Sequence, residues 1–106
     1  MTDPDPVFEA LADPTRRAVI RALADEGPTT LSSLSRQLPI TRQAVAKHLV
    51  VLQDAGLVAG SGPVRGRVYT FTPRPLTDAM DWIVDVGAGW DDRLQRLKRH
   101  VEQTSR

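Results

Sequence analysis

The sequence predicts a mainly α-helical single domain with one small β-hairpin and a long C-terminal helix. Three patterns carry that expectation. Apolar residues recur at three- and four-residue spacings between residues 18 and 52. A glycine-rich turn then separates two short strand-forming stretches, and from Leu76 to Val101 apolar residues repeat in heptads. The 106 residues divide into a core over 1–74, with a hairpin at about 57–72, and a helix over 76–103.

Taken in order, Asp13-Pro14 reads as a helix N-cap followed by proline at the first helical position. This helix should run to about Ala24, with Ala18, Val19, Ala22 and Leu23 inward, until Gly27-Pro28 stops it. Thr29 or Thr30 caps a second element with Leu31, Leu34 and Leu38 on one face, ended by Pro39. Thr41 caps a third, and Ile40 and Val45 then occupy the two positions of a hydrophobic staple. Val45, Leu49 and Leu52 face the core, and Gly56 closes the helix. The tight turn Leu38-Pro39-Ile40-Thr41 makes these a helix-turn-helix.

Leu57-Val58-Ala59 and Arg67 to Thr72 read as strands around a tip at residues 60–66, with Tyr69 and Phe71 sharing a face that packs on the helices. A hairpin directly after a helix-turn-helix is a wing, so the fold is a winged helix-turn-helix. Pro73 and Pro75 should break the second strand. The long helix after them carries a seam of Leu76, Met80, Ile83, Gly87, Trp90, Leu94, Leu97 and Val101. It would be about 39 Å long at roughly 1.5 Å per residue, wider than so small a domain. Its first half adds Ala79, Trp82, Val84 and Val86, so it should lie between its own domain and a second subunit. Dimerisation through this seam is the expectation. Gly87 and Gly89 each weaken the helix by about 1 kcal/mol relative to alanine; a close helix crossing, a hinge and a pocket wall all accommodate them.

The charges narrow the function. The net charge is +1, but it is unevenly distributed. Residues 1–40 carry six acids against four arginines, net −2. Residues 41–74 carry Arg42, Lys47, Arg65, Arg67 and Arg74 against Asp54 alone, net +4. Residues 75–106 carry six acids against five bases, net −1. Positive charge thus gathers on the third helix and the hairpin, as a phosphate-binding segment requires.

Opposite the core face, the third helix presents Gln43, Lys47, Val50 and Asp54, with Arg42 and Ala46 on one shoulder. Gln43 can bond an adenine edge bidentately, and Arg42 and Lys47 can reach guanine or phosphate. Ala46 allows close approach or touches a thymine methyl, and the Thr41 hydroxyl can bond a phosphate. Asp54 should lie outside the groove. His48 flanks the core face, as a packing residue or a phosphate donor. Arg65 and Arg67 at the wing tip can enter a minor groove or contact phosphate. Double-stranded DNA is therefore the expected partner.

These residues also carry a resemblance. Val7 to Arg17, Ile40 to Leu49 and Leu52 to Val58 resemble the ArsR/SmtB family of bacterial winged-helix repressors, over roughly residues 6–72. The resemblance implies a homodimer built by the first and last helices, binding an imperfect palindrome and blocking transcription. It places Thr41, Arg42, Gln43, Ala46, Lys47 and His48 on the DNA-reading helix and Arg65 and Arg67 on the wing. Many members sense metals through cysteines near the helix-turn-helix, where this chain has Leu31-Ser32-Ser33-Leu34-Ser35 and no cysteine anywhere. His100 and Glu102 stand two apart and face different directions, and Asp78, Asp81 and Asp85 share a flank without histidine. The chain thus resembles the metal-independent branch, and no metal or cofactor is expected; any small-molecule effector is not readable.

No nucleophile is paired with a base, and Gly60 to Gly66 lacks the lysine spacing of a phosphate loop, so no catalytic residue is assigned. The acidic N-terminus lacks the apolar stretch of a secretory signal, and no run is long enough for a membrane span. A cytoplasmic protein, nucleoid-associated when bound to DNA, is the expectation. A winged-helix protein-interaction module without specific DNA binding and a metal-responsive repressor are the alternatives.

Overall fold

Helix α1, Asp5–Leu11, opens the computed structural model, which describes residues 3–104. It was not anticipated as an element, although Val7, Ala10 and Leu11 have helical spacing and Pro6 sits in the first turn, where proline lacks no needed donor. Seven residues make a marginal helix alone. Its C-terminal carbonyls are instead held by arginines of the next helix. Arg16 donates from Nε to the Ala10 carbonyl at 2.7 Å and from Nη2 to that of Glu9 at 3.1 Å, and Arg17 donates to that of Leu11 at 2.6 Å.

Helix α2, Pro14–Glu26, starts where the Asp13 cap predicts, the carboxylate accepting from the backbone N–H groups of Thr15 at 2.7 Å and Arg16 at 3.3 Å. Burial by itself raises the Asp13 pKa and is the largest influence. The two amide donors and the charges of Arg16 and His48 together outweigh it and hold the carboxyl below its ordinary 3.8. A depressed native pKa contributes stability that is present above 3.8 and is lost as pH falls below it through the native value. Asp13→Asn keeps a competent cap and removes the titration. Urea midpoints measured down the acid limb should fall less steeply for this variant than for wild type, and equal slopes would refute the assignment. The helix buries Val19, Ile20 and Leu23, while Ala18, expected inward, is exposed.

Thr29–Thr30 forms a two-residue strand, β1, leading into α3, Leu31–Gln37. Thr30 does two jobs: its backbone is extended, and its hydroxyl accepts from Ser33 N–H at 3.2 Å as the cap of α3. Helix α4, Arg42–Asp54, begins on the Thr41 cap, whose Oγ1 accepts from Ala44 N–H at 3.1 Å, and Ile40 is packed against the core that holds Val45. It ends in a Schellman motif. Gly56 has φ +76°, Leu57 N–H reaches the Leu52 carbonyl at 2.9 Å, and Gly56 N–H reaches that of Gln53 at 3.0 Å. Leu52 and Leu57 are both fully buried, which is the apolar contact the motif favours.

Strands β2, Val58–Ser61, and β3, Val68–Phe71, pair antiparallel in the register Val58↔Phe71 to Ser61↔Val68. The hairpin expected from sequence gains a third strand, because β1 pairs with the other edge of β3 through Thr29↔Tyr69 and Thr30↔Val68, giving the order β1-β3-β2. Tyr69 and Phe71 are half-buried against the core, as their shared face predicts. That core joins α1, α2, α3, α4, β2 and the following helix, and contains no buried polar residue among the described ones.

Helix α5, Arg74–Thr104, takes 31 residues. Pro75 lies in its first turn and opens the helix rather than breaking the chain before it. On its own domain α5 buries Ala79, half-buries Leu76, and sets Trp82 edge-on to Phe8 of α1 with ring centroids 5.5 Å apart. Beyond that it runs free, which stretches the molecule to 72 × 29 × 20 Å. Within this chain the first half is therefore covered on one side only. Met80 is 61% exposed, Trp90 54% and Leu94 43%, with Ile83, Val84, Val86, Leu97 and Val101 also open to solvent.

Candidate nucleic-acid interface

The site starts from the two faces of α4. Val45, Leu49 and Leu52 are buried, and α4 packs against α2, α3 and β2, so its orientation is set by the core. The opposite face carries exposed Arg42, Gln43, Lys47, Val50 and Asp54. Arg42, Gln43 and Lys47 make no side-chain hydrogen bond or ion pair within the described residues, and their polar ends stand free in water. Thr41 is exposed with its hydroxyl committed to the cap, although it can still donate its own proton. Ala46 is half-buried on the shoulder. His48 is half-buried and close enough to Asp13 for its charge to favour the carboxylate.

The two wing arginines separate. Arg65 is exposed at the tip, where residues 61–66 are all open to solvent. Arg67, expected at the tip as well, is half-buried and lies back across the hairpin, its Nε donating to the Gly62 carbonyl at 3.4 Å. Gly60 makes room for that path. A methyl group there would stand 3.0 Å from Gln53 Nε2, 3.1 Å from Arg67 Cδ and 3.3 Å from Tyr69 Cε1. The stem of Arg67 thus crosses the wing beside a glycine, where a larger residue would crowd it.

That course brings Arg67 toward Arg42. Between them is a cleft of about 120 Å³, lined also by Thr30, Leu31, Ser32, Val64, Gly66 and Tyr69. Thr30, Ser32 and Tyr69 were not singled out as site residues. Nothing in their local spacing marks them, because they meet only through the β1–β3 pairing. The seam residues Leu76, Met80, Ile83, Gly87, Trp90, Leu94, Leu97 and Val101 lie on α5 away from this surface. All but Leu76 and Gly87 are exposed. Among the described residues no three His, Asp or Glu side chains gather as a metal-binding group. No described helix is long and apolar enough to cross a membrane.

Comparison with known proteins agrees with this geometry. A family model described as a helix-turn-helix domain matches residues 11–61, from the end of α1 to the end of β2. The chain is 42% identical over 86 residues to the uncharacterized HTH-type transcriptional regulator YuzN of Bacillus subtilis, covering 74% of this chain and 94% of that one. It is 45% identical over 73 residues to the HTH-type transcriptional regulator Rv2034 of Mycobacterium tuberculosis, covering 69% and 67%. Among solved structures, an ArsR-like transcriptional regulator from Rhodococcus sp. RHA1 superposes with a TM-score of 0.82 at 36% identity, over 91% of this chain and 90% of that chain.

Proposed function

The chain belongs to the ArsR family of helix-turn-helix transcriptional regulators, and we propose from that premise that it is a homodimeric repressor reading an imperfect palindromic operator. The observation that carries the reading is the division of α4 into a face locked in the core and a face of unpartnered Arg42, Gln43 and Lys47. A helix so held can enter the major groove without rearrangement, its N-terminal residues reaching base edges. Gln43 then pairs with an adenine, Lys47 and Arg42 bond guanine or phosphate, Ala46 permits close approach, and the Thr41 hydroxyl donates to a phosphate. Arg65 contacts the flanking backbone, and His48 braces the side of α4 that faces the start of α2.

The dimer reading is supported by α5. A methyl group at Gly87 or Gly89 would meet nothing within 4 Å, so nothing in this protomer requires glycine there. A second helix crossing closely at that point does. Charge along the helix is also segregated, with its boundary a few residues beyond the glycines, between Asp92 and Arg93. Residues 75–92 carry Asp78, Asp81, Asp85, Asp91 and Asp92 and no base, while residues 93–101 carry Arg93, Arg96, Lys98 and Arg99 and no acid. Two copies crossing antiparallel at residues 87–89 set Asp78 and Asp81 of each copy near the other copy's basic stretch over residues 93–99, as a two-fold interface allows. A parallel pair would align acid with acid. Repression follows from the family resemblance, by occupying a promoter.

Selection of bound fragments from genomic DNA tests the whole reading. It should enrich inverted half-sites about one helical turn apart. Solitary half-sites would remove the dimer from the proposal, and no enrichment would remove DNA binding. On an enriched fragment, Lys47→Ala should weaken binding several-fold, lower the salt slope by about one and leave the dimer intact. Unchanged affinity would take Lys47 off the DNA.

A further inference from the structure

We infer that the cleft between α4 and the wing is a binding site for a single backbone phosphate of the DNA, clamped jointly by Arg42 and Arg67. The inference rests on the reading of α4 and the hairpin as the DNA-binding surface and goes beyond it, because it makes two elements share one contact and brings in Ser32, Thr30 and Tyr69. The residues that line it include two arginines, three with hydroxyl groups and none with a carboxylate. Neither arginine has an acidic partner; Arg67 is held at 3.4 Å by the Gly62 carbonyl and Arg42 has no side-chain bond. The Ser32 and Tyr69 hydroxyls are likewise without hydrogen-bond partners, and Thr30, which accepts from Ser33 N–H, keeps its own proton to donate.

Such a donor set suits one kind of guest. Two arginines and three hydroxyl-bearing residues around one cleft make its charge positive and its side-chain chemistry rich in donors, which disfavours a cation. A tetrahedral oxyanion accepts from all of them. The cleft, about 120 Å³, is large enough for one phosphate group. The position of the cleft favours a phosphodiester over a free ion. It opens between the N-terminus of the reading helix and the wing, the two elements that flank a duplex, so a backbone entering the groove passes it. The phosphate would then set the register of α4 on the duplex, which is what backbone contacts do.

Shared occupancy has a signature that separate contacts lack. With a genomic fragment recovered by selection and a random duplex of equal length as probes, Arg42→Gln and Arg67→Gln should each weaken binding by about tenfold. The loss should be the same on both duplexes, because a phosphate carries no sequence. The double variant should lose little more than either single one, and the salt slope should fall by about one. Ser32→Ala, a small change beside the cleft, should cost about threefold, and circular dichroism confirms that each variant is folded. A single methylphosphonate, placed in turn at each backbone position, should weaken wild-type binding at one phosphate per half-site and leave the double variant indifferent there. Multiplicative losses with a slope change of about two would mean two separate phosphates and overturn the inference while leaving DNA binding in place. A loss confined to the selected fragment would make Arg42 a base contact and overturn it equally. Inorganic phosphate that raised the melting temperature of wild type and not of the double variant, with no methylphosphonate effect, would assign the cleft to a free oxyanion instead. Wild-type protein that bound neither duplex would remove the DNA reading beneath it.

Discussion

Leu94→Asp is expected to turn the protein into a folded monomer and to weaken operator binding by at least about 100-fold. Leu94 is 43% exposed and lies twelve residues beyond Trp82, the last α5 side chain seen against the domain. The substitution therefore touches no intramolecular packing, and the fold should survive it. In a symmetric dimer the change occurs twice, and each buries a carboxylate in an apolar seam, at a cost of several kcal/mol per ion. The free energy available to offset this comes only from the seam itself, Met80, Ile83, Trp90, Leu97 and Val101. A palindromic operator magnifies the consequence. The second half-site is bound as an intramolecular event only while the dimer holds, and that advantage is worth about 10²–10⁴ in affinity. Sedimentation at micromolar concentration and titration of one labelled operator read the two effects separately. A variant that still sedimented as a dimer would sink the α5 interface.

The antiparallel crossing predicts a refinement of that experiment. Reversing Asp81 to Lys should weaken the dimer by a modest factor, since flanking charges at a solvated rim contribute little each. Reversing Arg96 to Glu in the same chain should restore it, because Asp81 and Arg96 stand nearly equidistant from residues 87–89 on opposite sides. A parallel pair would gain nothing from the second change.

What the residues announced in advance, and what they did not, follows from how far the causes lie apart along the chain. Asp13, Thr30, Thr41 and Gly56 act within four residues of themselves, through a side-chain acceptor or a positive φ, and each helix end they mark is where the pattern places it. The α5 seam is equally plain, since 26 residues of heptad spacing leave no competing period. Two elements escaped because they are short and are held by groups distant in sequence. Helix α1 spans seven residues and depends on Arg16 and Arg17 for its C-terminal carbonyls. Strand β1 spans two and exists through pairing with β3. The same limit applied to the site. The exposed face of α4 follows from helical geometry, whereas the course of Arg67 depends on Gly60, Gln53 and the hairpin register. Only the assembled sheet brings it toward Arg42.

Leu49→Ala and Val50→Ala, adjacent on α4, should separate stability from recognition more cleanly than any distant pair. Leu49 is 1% exposed and sits in the core cluster with Val19, Leu23, Leu34 and Leu52; Val50 is 55% exposed on the face that carries Gln43 and Lys47. Truncating a fully buried leucine loses its transfer free energy and leaves a cavity that closely packed neighbours only partly fill, a cost of about 2–5 kcal/mol. Against a total stability of roughly 5–15 kcal/mol, that is a large fraction for a single side chain. The urea midpoint of Leu49→Ala should therefore drop well below wild type at equal protein concentration, the concentration being held because a dimer's stability depends on it. Val50→Ala should stay within about 0.5 kcal/mol of wild type, while its operator affinity shifts if the side chain meets a thymine methyl. The contrast also tests the rigidity argument. If α4 reads DNA because its inner face fixes its outer one, Leu49→Ala should lose affinity for the operator beyond the fraction unfolded, with no change in any residue that touches DNA. Affinity that tracked only the folded fraction would mean that α4 holds its orientation without Leu49, and that α2 and α3 grip it through Val45 and Leu52 alone.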